Sequence, residues 1–415
     1  MAGRGRAGAR PLDLILGMHG FSSFCYGMVF PFTGIYLADR PGVGTFGVAV
    51  YYAGSGVSNM LFSLVLAAGL VRVSRTVLGV SGLMLTLVCY LALPWVGSLP
   101  EAALAAAANG AGQCCFMAAI IPIVNALVPA AERRRVFALR YQILNVTLAG
   151  GSLVAALLID ALSKSVIPCL FVANALGYLP IAATLLLVAR RAAARQDRPE
   201  GSRVEQDAES GGGRLPTRTL LKLTAGAAAF QFGIYFFGFS QFEATAPLVA
   251  SRLMGTGLGW IPAMLITDIA IIMLAQRYVT RRLGGRSEAF GLRVTVVLWV
   301  AGFLAAGLLA LGPGASRLVG LLLFAALFGL GETAYSCSFH PWLIKMVPER
   351  ELTRAMALCN ATMGIGTFLG PSFGVALISL GSPTGVWLPL AAGCALIGLA
   401  TRSRASLRRA YAYLT

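Results

Sequence analysis

Long apolar stretches alternate with short polar ones along the whole chain. Each is about 20 residues long, enough for an α-helix to cross a hydrocarbon layer of roughly 30 Å. Six precede and six follow a polar segment at 190–218, which we predict to be a flexible linker. The predicted spans are residues 12–38, 45–70, 76–96, 101–128, 136–160, 166–189, 219–250, 258–277, 288–312, 317–346, 354–380 and 385–401.

The two halves repeat one pattern at a constant offset of 219 residues. Val128–Leu157 aligns without a gap with Val347–Ala376, and the offset also superposes Gly110 on Gly329 and Gly112 on Gly331. Such a repeat indicates duplication. The sequence therefore predicts an all-α membrane protein of twelve transmembrane helices in two six-helix bundles, residues 1–189 and 219–415.

Composition supports a membrane protein. The mean hydropathy is +0.78, and only 12% of residues are charged. The net charge is +17, but all except four of the 33 Lys and Arg lie in the tails, at even-numbered junctions, or on adjacent helix ends. By the positive-inside rule this distribution predicts cytoplasmic termini and contact with anionic lipid, and it disfavours nucleic acid as a partner.

A few polar side chains interrupt the apolar spans, and they are the first candidates for a site. Charge at membrane depth costs ~2.5–3.5 kcal/mol, so it persists mainly where it faces a cavity or a partner. Helices three, six, nine and twelve are nearly free of such groups, which predicts lipid-facing supports. The other helices supply the proton-coupling candidates Glu243, Asp268 and Glu332 and the substrate-cavity candidates Asn109 and Gln113.

Each candidate has a plainer structural interpretation. The acids could be hydrogen-bonded structural groups, and Asn109 and Gln113 could serve interhelical packing. Seven aromatic residues lie within Phe230–Phe242, beside Glu243. Some must face lipid or other helices, while Tyr235, Phe236 and Phe239 are our candidates for substrate contact. His19 could relay protons or contact substrate, although a lone membrane histidine is more often a packing residue.

The twelve spans, the parallel duplication and the basic linker resemble the major facilitator superfamily. This resemblance implies substrate binding near the midplane and alternating access. The family's signature loop between helices two and three keeps only Arg75 here, whereas the loop between helices eight and nine matches at Arg282, Gly284 and Arg286.

The exporter branch, the bacterial drug/proton antiporters that export antibiotics and other drugs, resembles this chain through a Gly-x-x-x-Gly-Pro-x-x-Gly pattern. That pattern lies in helix eleven as the helix-packing motif Gly366, Gly370, Pro371 and Gly374, where the branch normally has it in helix five. Charged residues beside the repeated helices are candidates for cytoplasmic latches or for solvated charge: Glu132, Arg135, Arg282, Arg286, Glu351 and Arg354.

We therefore expect a secondary transporter and no enzyme, without cofactor or bound metal. The prediction is a monomeric, multi-pass protein of the inner (cytoplasmic) membrane that exports a small amphiphilic, neutral or cationic compound in exchange for protons. The alternative is proton-coupled uptake of a nutrient or metabolite. A membrane subunit of an ATP-driven exporter is the alternative from a different class, although the chain has no P-loop motif of its own.

Overall fold

The computed structural model describes residues 4–196, 215–255 and 260–400, and these residues are helical with short connections. The main helices follow the predicted spans to within a few residues, apart from earlier starts or later ends at Arg4, Gln196 and Gly284. They are α1 (Arg4–Val29), α2 (Gly44–Ala67), α3 (Arg75–Ala92), α4 (Leu99–Leu127), α5 (Arg133–Leu162), α6 (Ile167–Gln196), α7 (Thr217–Ile234), α8 (Trp260–Gly284), α9 (Glu288–Leu309), α10 (Gly314–Ser336), α11 (Leu352–Ile378) and α12 (Pro383–Ala400).

Three of the predicted spans are divided. A short helix, Thr33–Ala38, completes the first span after the break near Pro31, and another, Phe339–Met346, completes the tenth. The seventh span continues beyond α7 through three π-helical segments, Tyr235–Phe239, Gln241–Thr245 and Val249–Leu253. Most of the predicted linker, residues 197–214, lies outside the described residues.

Ten helices of the described part are long and apolar enough to cross a membrane. The first and twelfth predicted spans correspond to α1 and to the shorter apolar helix α12, which completes the predicted set. The helices without interior charge pack more tightly than expected. In the most apolar 18-residue stretch of each helix, 44, 50 and 44% is buried for α3, α6 and α9, whereas 11 and 22% is buried for α5 and α8. These helices are therefore packing partners within the protein as well as candidates for lipid contact.

Chain contacts divide the protein into two units. Unit 1 comprises Met1–Glu132, Ile143–Leu220 and Glu349–Ala361, and unit 2 comprises Arg133–Gln142, Leu221–Pro348 and Thr362–Thr415. The units follow the two sequence halves except that the first turns of α5 belong to unit 2 and those of α11 belong to unit 1. The predicted boundaries at 189 and 219 stay a prediction.

The same pairs of helices pack in both units. In unit 1, α4 packs against α2 and α3, and α3 packs against α6. In unit 2, α10 packs against α8 and α9, and α9 packs against α12. Each pair in unit 2 is its counterpart in unit 1 shifted by six helices, so the duplication seen in the sequence is also present in the packing.

Glycines in the repeated positions allow these close contacts. A Cβ at Gly110 would collide with the backbone of Ser55 in α2, and one at Gly329 would lie 2.8 Å from Asp268 in α8. Two residues further on, Gly112 faces Gly82 and Thr86 of α3, and Gly331 faces the Trp299 ring of α9. Each Gly-x-Gly pair therefore brings two neighbouring helices against one central helix.

We expect Gly331→Ala to destabilise the protein, because the added methyl group meets the buried Trp299 ring and lies 3.2 Å from the Thr295 carbonyl oxygen. Overpacking of this kind costs about 1–3 kcal/mol. Gly226→Ala in α7 is the matched control, since no atom lies within 4 Å of its added Cβ. Thermal unfolding of the purified variants should show a lower midpoint for Gly331→Ala alone; equal midpoints would contradict the packing argument.

Candidate functional site

Three acidic side chains lie within electrostatic reach of one another in unit 2. They are Glu243 in the second π-helical segment, Asp268 in α8 and Glu332 in α10. The field of Glu243 acts on Asp268, and both act on Glu332. The three candidates that the sequence suggested on separate helices therefore form one group, which we call the acid cluster.

The three acids differ in their access to solvent. Glu332 and Asp268 are buried, with 5 and 7% of their surface exposed. Glu243 has an exposed side chain even though protein atoms surround it on most sides. Within the acid cluster, Glu243 is therefore the member most accessible to water or ligand.

Local sequence explains how each acid reaches the cluster. Asp268 lies against α10 because Gly329 has no side chain at the contact, and its Oδ1 atom has no hydrogen-bond partner. Glu332 directly follows Gly331, which presses against the α9 ring of Trp299. Both positions depend on the Gly-x-Gly pair of the repeat.

Glu243 lies where the seventh span leaves regular α-helical geometry. The Gln241 side chain donates to the carbonyl oxygens of Phe236 and Gly370 at 2.6 and 2.8 Å, which links this segment to α11. π-helical turns are rare and often mark functional sites. Backbones approach closely here because a Cβ at Gly366 or Gly370 would lie 2.7 or 2.6 Å from atoms of this span, and one at Gly374 would overlap Thr245.

Tyr141 of α5 is a member of the site that the sequence did not suggest. Its hydroxyl donates a hydrogen bond to a carboxylate oxygen of Glu332. The residue lies in the repeated stretch, where its positional counterpart in the second half is Asn360. This exchange of a tyrosine for an asparagine within an otherwise similar stretch was the signal available in the sequence.

No basic side chain of the described residues acts on the three acids. The same part of the chain contains no group of three His, Cys, Asp or Glu side chains placed to hold a metal ion. The acid cluster is therefore a set of interacting carboxyl groups with two tyrosines, Tyr141 and Tyr235, within electrostatic reach.

The aromatic candidates occupy different surroundings. Tyr235 lies within electrostatic reach of Glu243 and Glu332. Phe236 packs against Phe373 of α11 at a ring-centroid distance of 5.2 Å. Phe239 contacts the ring of Trp299 at 5.2 Å, within the aromatic core of unit 2. Tyr235 is thus the aromatic candidate within electrostatic reach of the acids, and its ring also packs on Phe239 at 4.6 Å. Substrate contact by the three rings stays a prediction.

The remaining cavity candidates belong to unit 1. Asn109 donates to the Ser55 hydroxyl of α2 at 3.0 Å, which is an interhelical contact. His19 is buried, with its ring edge-on to Phe116 of α4 at a centroid distance of 5.1 Å. Gln113 is partly exposed.

The latch candidates separate into a buried pair and exposed charges. Glu351 and Arg354 form an ion pair of 2.8 Å, and Arg354 also donates to the Ala67 carbonyl oxygen at the end of α2. Their counterparts Glu132 and Arg135 are exposed, as are Arg282 and Arg286. The repeated acid–base motif is therefore a buried connection in its second copy and solvated charge in its first.

Other charges, which the sequence did not single out, make comparable connections. In unit 2, Arg134 donates to the Leu283 carbonyl oxygen near the end of α8 and lies 3.3 Å from Glu288, which also binds Lys345 at 2.7 Å. In unit 1, Arg75 pairs with Glu349 at 3.5 Å. Arg134 in unit 2 and Arg354 in unit 1 thus make the same kind of contact. Each lies at the start of a repeated helix and binds a carbonyl oxygen at the end of another helix, where a cation is electrostatically favoured.

We expect Arg354→Ala to lower stability strongly, because Glu351, which is fully buried, would lose its counter-charge. Removing one partner of a buried ion pair costs about 3–5 kcal/mol. Arg135→Ala, at the repeated but exposed position, is the control. Unfolding midpoints should fall for the first variant and stay unchanged for the second; a similar shift in both would show that Arg354 is not a structural connection.

We further expect Tyr141→Phe and Glu332→Gln to be non-additive. A hydrogen bond to a charged group contributes roughly 1.5–3 kcal/mol, and a double-mutant cycle measures this coupling. Tyr141→Phe combined with Glu101→Gln is the control, since Glu101 lies at the start of α4 and is not among the charges that act on Tyr141 or on Glu332. Reversible unfolding in mixed micelles gives the free energy of unfolding of each variant. Additive changes in the first cycle would disprove the hydrogen bond between Tyr141 and Glu332.

The helix order, the duplicated packing and the buried acids define a multi-pass membrane protein of the transporter type. The family model of the Major Facilitator Superfamily matches residues 12–311 and 283–409. The chain belongs to this superfamily and is a secondary transporter. This membership confirms the family resemblance and the twelve-helix fold that the sequence predicted.

Solved structures of other transporters share the fold. The E. coli fucose:proton symporter FucP matches at 15% identity and a TM-score of 0.67, over 94% of this chain and 98% of that one. The human organic anion transporter MFSD10 (TETRAN) matches at 13% identity and a TM-score of 0.69, over 95% of this chain and 99% of that one. A bacterial homologue of the iron transporter ferroportin matches at 14% identity and a TM-score of 0.70, over 94% of this chain and 98% of that one. No curated protein sequence matches the chain at a significant level.

Proposed function

We propose that this transporter exports a small amphiphilic, neutral or cationic compound in exchange for protons, and that the acid cluster carries the proton. The observation that carries the proposal is the mutual proximity of Glu243, Asp268 and Glu332 without a described basic partner. A proton is the simplest cation that such a group can take up and release.

Coupling follows from the repulsion among these carboxyl groups. In a poorly hydrated environment three neighbouring carboxylates cannot all be charged at low free energy, so at least one retains a proton. A cationic substrate would stabilise the charged forms and displace that proton, and return of the proton would expel the substrate. Substrate and proton then occupy the cluster alternately, which is the requirement for exchange.

The surroundings of the cluster support an amphiphilic substrate. Tyr235 lies next to Glu243 and Glu332, and the face of an aromatic ring attracts cations. Glu243 is exposed, so a ligand could reach it before the two buried acids. A compound with a cationic or polar group on an apolar body fits these contacts.

The direction of transport is proposed from the sequence motif. The Gly366, Gly370, Pro371 and Gly374 pattern is similar to that of exporters, and its three glycines face the seventh span. Proton-coupled uptake is the alternative, since the fucose:proton symporter FucP has the same fold. We also propose an inner-membrane location with cytoplasmic termini, based on the Lys and Arg distribution, and a monomer in contact with membrane lipids.

Proton release tests the proposal. Ethidium, an amphiphilic aromatic cation, is added to acidified inverted vesicles that contain the protein, and the lumen pH is followed with a fluorescent indicator. We expect alkalinisation of the lumen with the native protein and background signals for Glu332→Gln, Glu243→Gln and Asp268→Asn, because each removes a carboxyl group from the cluster. An uncoupler should abolish ethidium transport while ATP is present.

Glu101→Gln is the control variant, because Glu101 lies at the start of α4, where it accepts hydrogen bonds from the backbone of Gly97 and Ser98. It should behave as the native protein does. Normal coupling in all three cluster variants would remove the acid cluster from the mechanism. Transport that continues with an uncoupler and stops without ATP would reject the proton-driven proposal.

A further inference from the structure

A buried arginine of unit 2, Arg140, directly precedes Tyr141, the residue that binds Glu332. Arg140 is only 7% exposed, and its Nε atom has no hydrogen-bond partner. It is the eighth residue of α5, so at about 1.5 Å per residue it lies roughly 10 Å along the axis from the helix start. The sequence alone suggested a cation at the cytoplasmic helix end, whereas the structure buries it.

Arg140 has no counter-ion among the described residues. No ion pair includes it, and no carboxylate acts on its guanidinium group. The nearby Glu332 is bound by Tyr141, and adjacent helical residues leave the helix in different directions. Arg134, on the same helix, does have an acid, Glu288. Among the described residues, Arg133 and Arg135 form no ion pair either, but Arg133 is half-buried and Arg135 is exposed, so Arg140 is the buried arginine without an acid at this helix start.

Two flat rings lie at the same place. His340 interacts electrostatically with Arg140 and stacks on Phe137 of α5, with ring centroids 5.4 Å apart and planes inclined by 29°. His340 is half-buried, although protein atoms surround its ring. This part of unit 2 therefore places a planar guanidinium group beside two aromatic rings, those of His340 and Phe137.

A buried charge without a partner is costly, and at membrane depth such a residue usually serves a function. We propose that Arg140, with His340 and Phe137, forms a binding site for the anionic group of an aromatic or amphiphilic organic acid. The planar guanidinium group matches a carboxylate through two parallel hydrogen bonds, and the rings accept the apolar part. The ligand supplies the negative charge that the protein lacks there.

This inference rests on the proposed function only in treating the ligand as the transported compound. The acid cluster would then take the neutral or cationic part of an amphoteric substrate, and Arg140 its anionic part. The binding measurement below requires no transport and no proton coupling. Loss of anion binding and loss of proton exchange can therefore be observed separately.

The test compares naphthoate with its uncharged amide, naphthamide, by equilibrium dialysis against the full-length protein in phosphatidylcholine nanodiscs. We expect naphthoate to bind about tenfold more tightly or better, because charge-assisted hydrogen bonds are strong. Arg140→Gln should remove this preference, and Arg140→Lys should retain only part of it. Arg135→Gln, an exposed arginine on the same helix, should retain it fully.

Stability provides the second measurement. Without ligand, Arg140→Gln should unfold at a temperature equal to or above that of the native protein, because an unpaired buried charge is removed. A lower midpoint would mean that Arg140 already has a partner and would overturn the proposal. Equal binding of naphthoate and naphthamide to the native protein, or an unchanged preference in Arg140→Gln, would overturn it as well.

The lipid headgroup is the other source of an organic anion. The naphthoate measurement is therefore repeated in nanodiscs that contain phosphatidylglycerol. Binding that is unaffected by this lipid assigns the site to a soluble organic acid, as proposed. Competition by phosphatidylglycerol in the native protein and not in Arg140→Gln would assign Arg140 to lipid and contradict the substrate site.

Discussion

Carboxyl groups inside a membrane-spanning helix bundle are costly, and three of them share one region of unit 2. Asp268 and Glu332 are buried, and the field of each neighbouring acid makes a second negative charge less favourable. The Tyr141 hydroxyl offsets part of this cost for Glu332 by donating a hydrogen bond. The proposed proton exchange follows from this constraint, because uptake of a cation relieves the repulsion.

The duplicated scaffold explains how the acids come together. The Gly-x-Gly pairs at 110 and 112 and at 329 and 331 hold equivalent helices against α4 and α10. The residue after the second glycine is Gln113 in one half and Glu332 in the other. The same backbone position therefore carries an amide in unit 1 and an acid in unit 2. The units differ in chemistry at positions that are equivalent in the repeat.

The fold was largely predictable because its determinants are local in sequence. Spans of apolar residues and the constant offset of 219 residues predicted the twelve helices, and the boundaries differ by a few residues in most cases. The π-helical geometry after Ile234 was not predicted, and in this segment Gln241 binds the Gly370 carbonyl of a helix far along the chain, a contact that local sequence does not encode.

The candidate site was predictable in part. Charge in an apolar span identified Glu243, Asp268 and Glu332 individually, but their grouping depends on how α8 and α10 pack. Arg140 was missed because an arginine near a helix end is unremarkable in sequence, and Tyr141 because its exchange for Asn360 in the repeat does not by itself name a partner. Only the tertiary structure shows that one binds Glu332 and that the other is buried without a counter-ion.

The central claim is that the acid cluster holds a proton that can be exchanged. Infrared difference spectroscopy on the protein in lipid tests this directly, because a protonated carboxyl group has its own C=O stretching band. The account predicts such a band at neutral pH, its shift in deuterated water, and its loss or displacement in Glu332→Gln. If the neutral-pH spectrum contains only carboxylate bands, and Glu332→Gln leaves it unchanged, the cluster does not carry the proton.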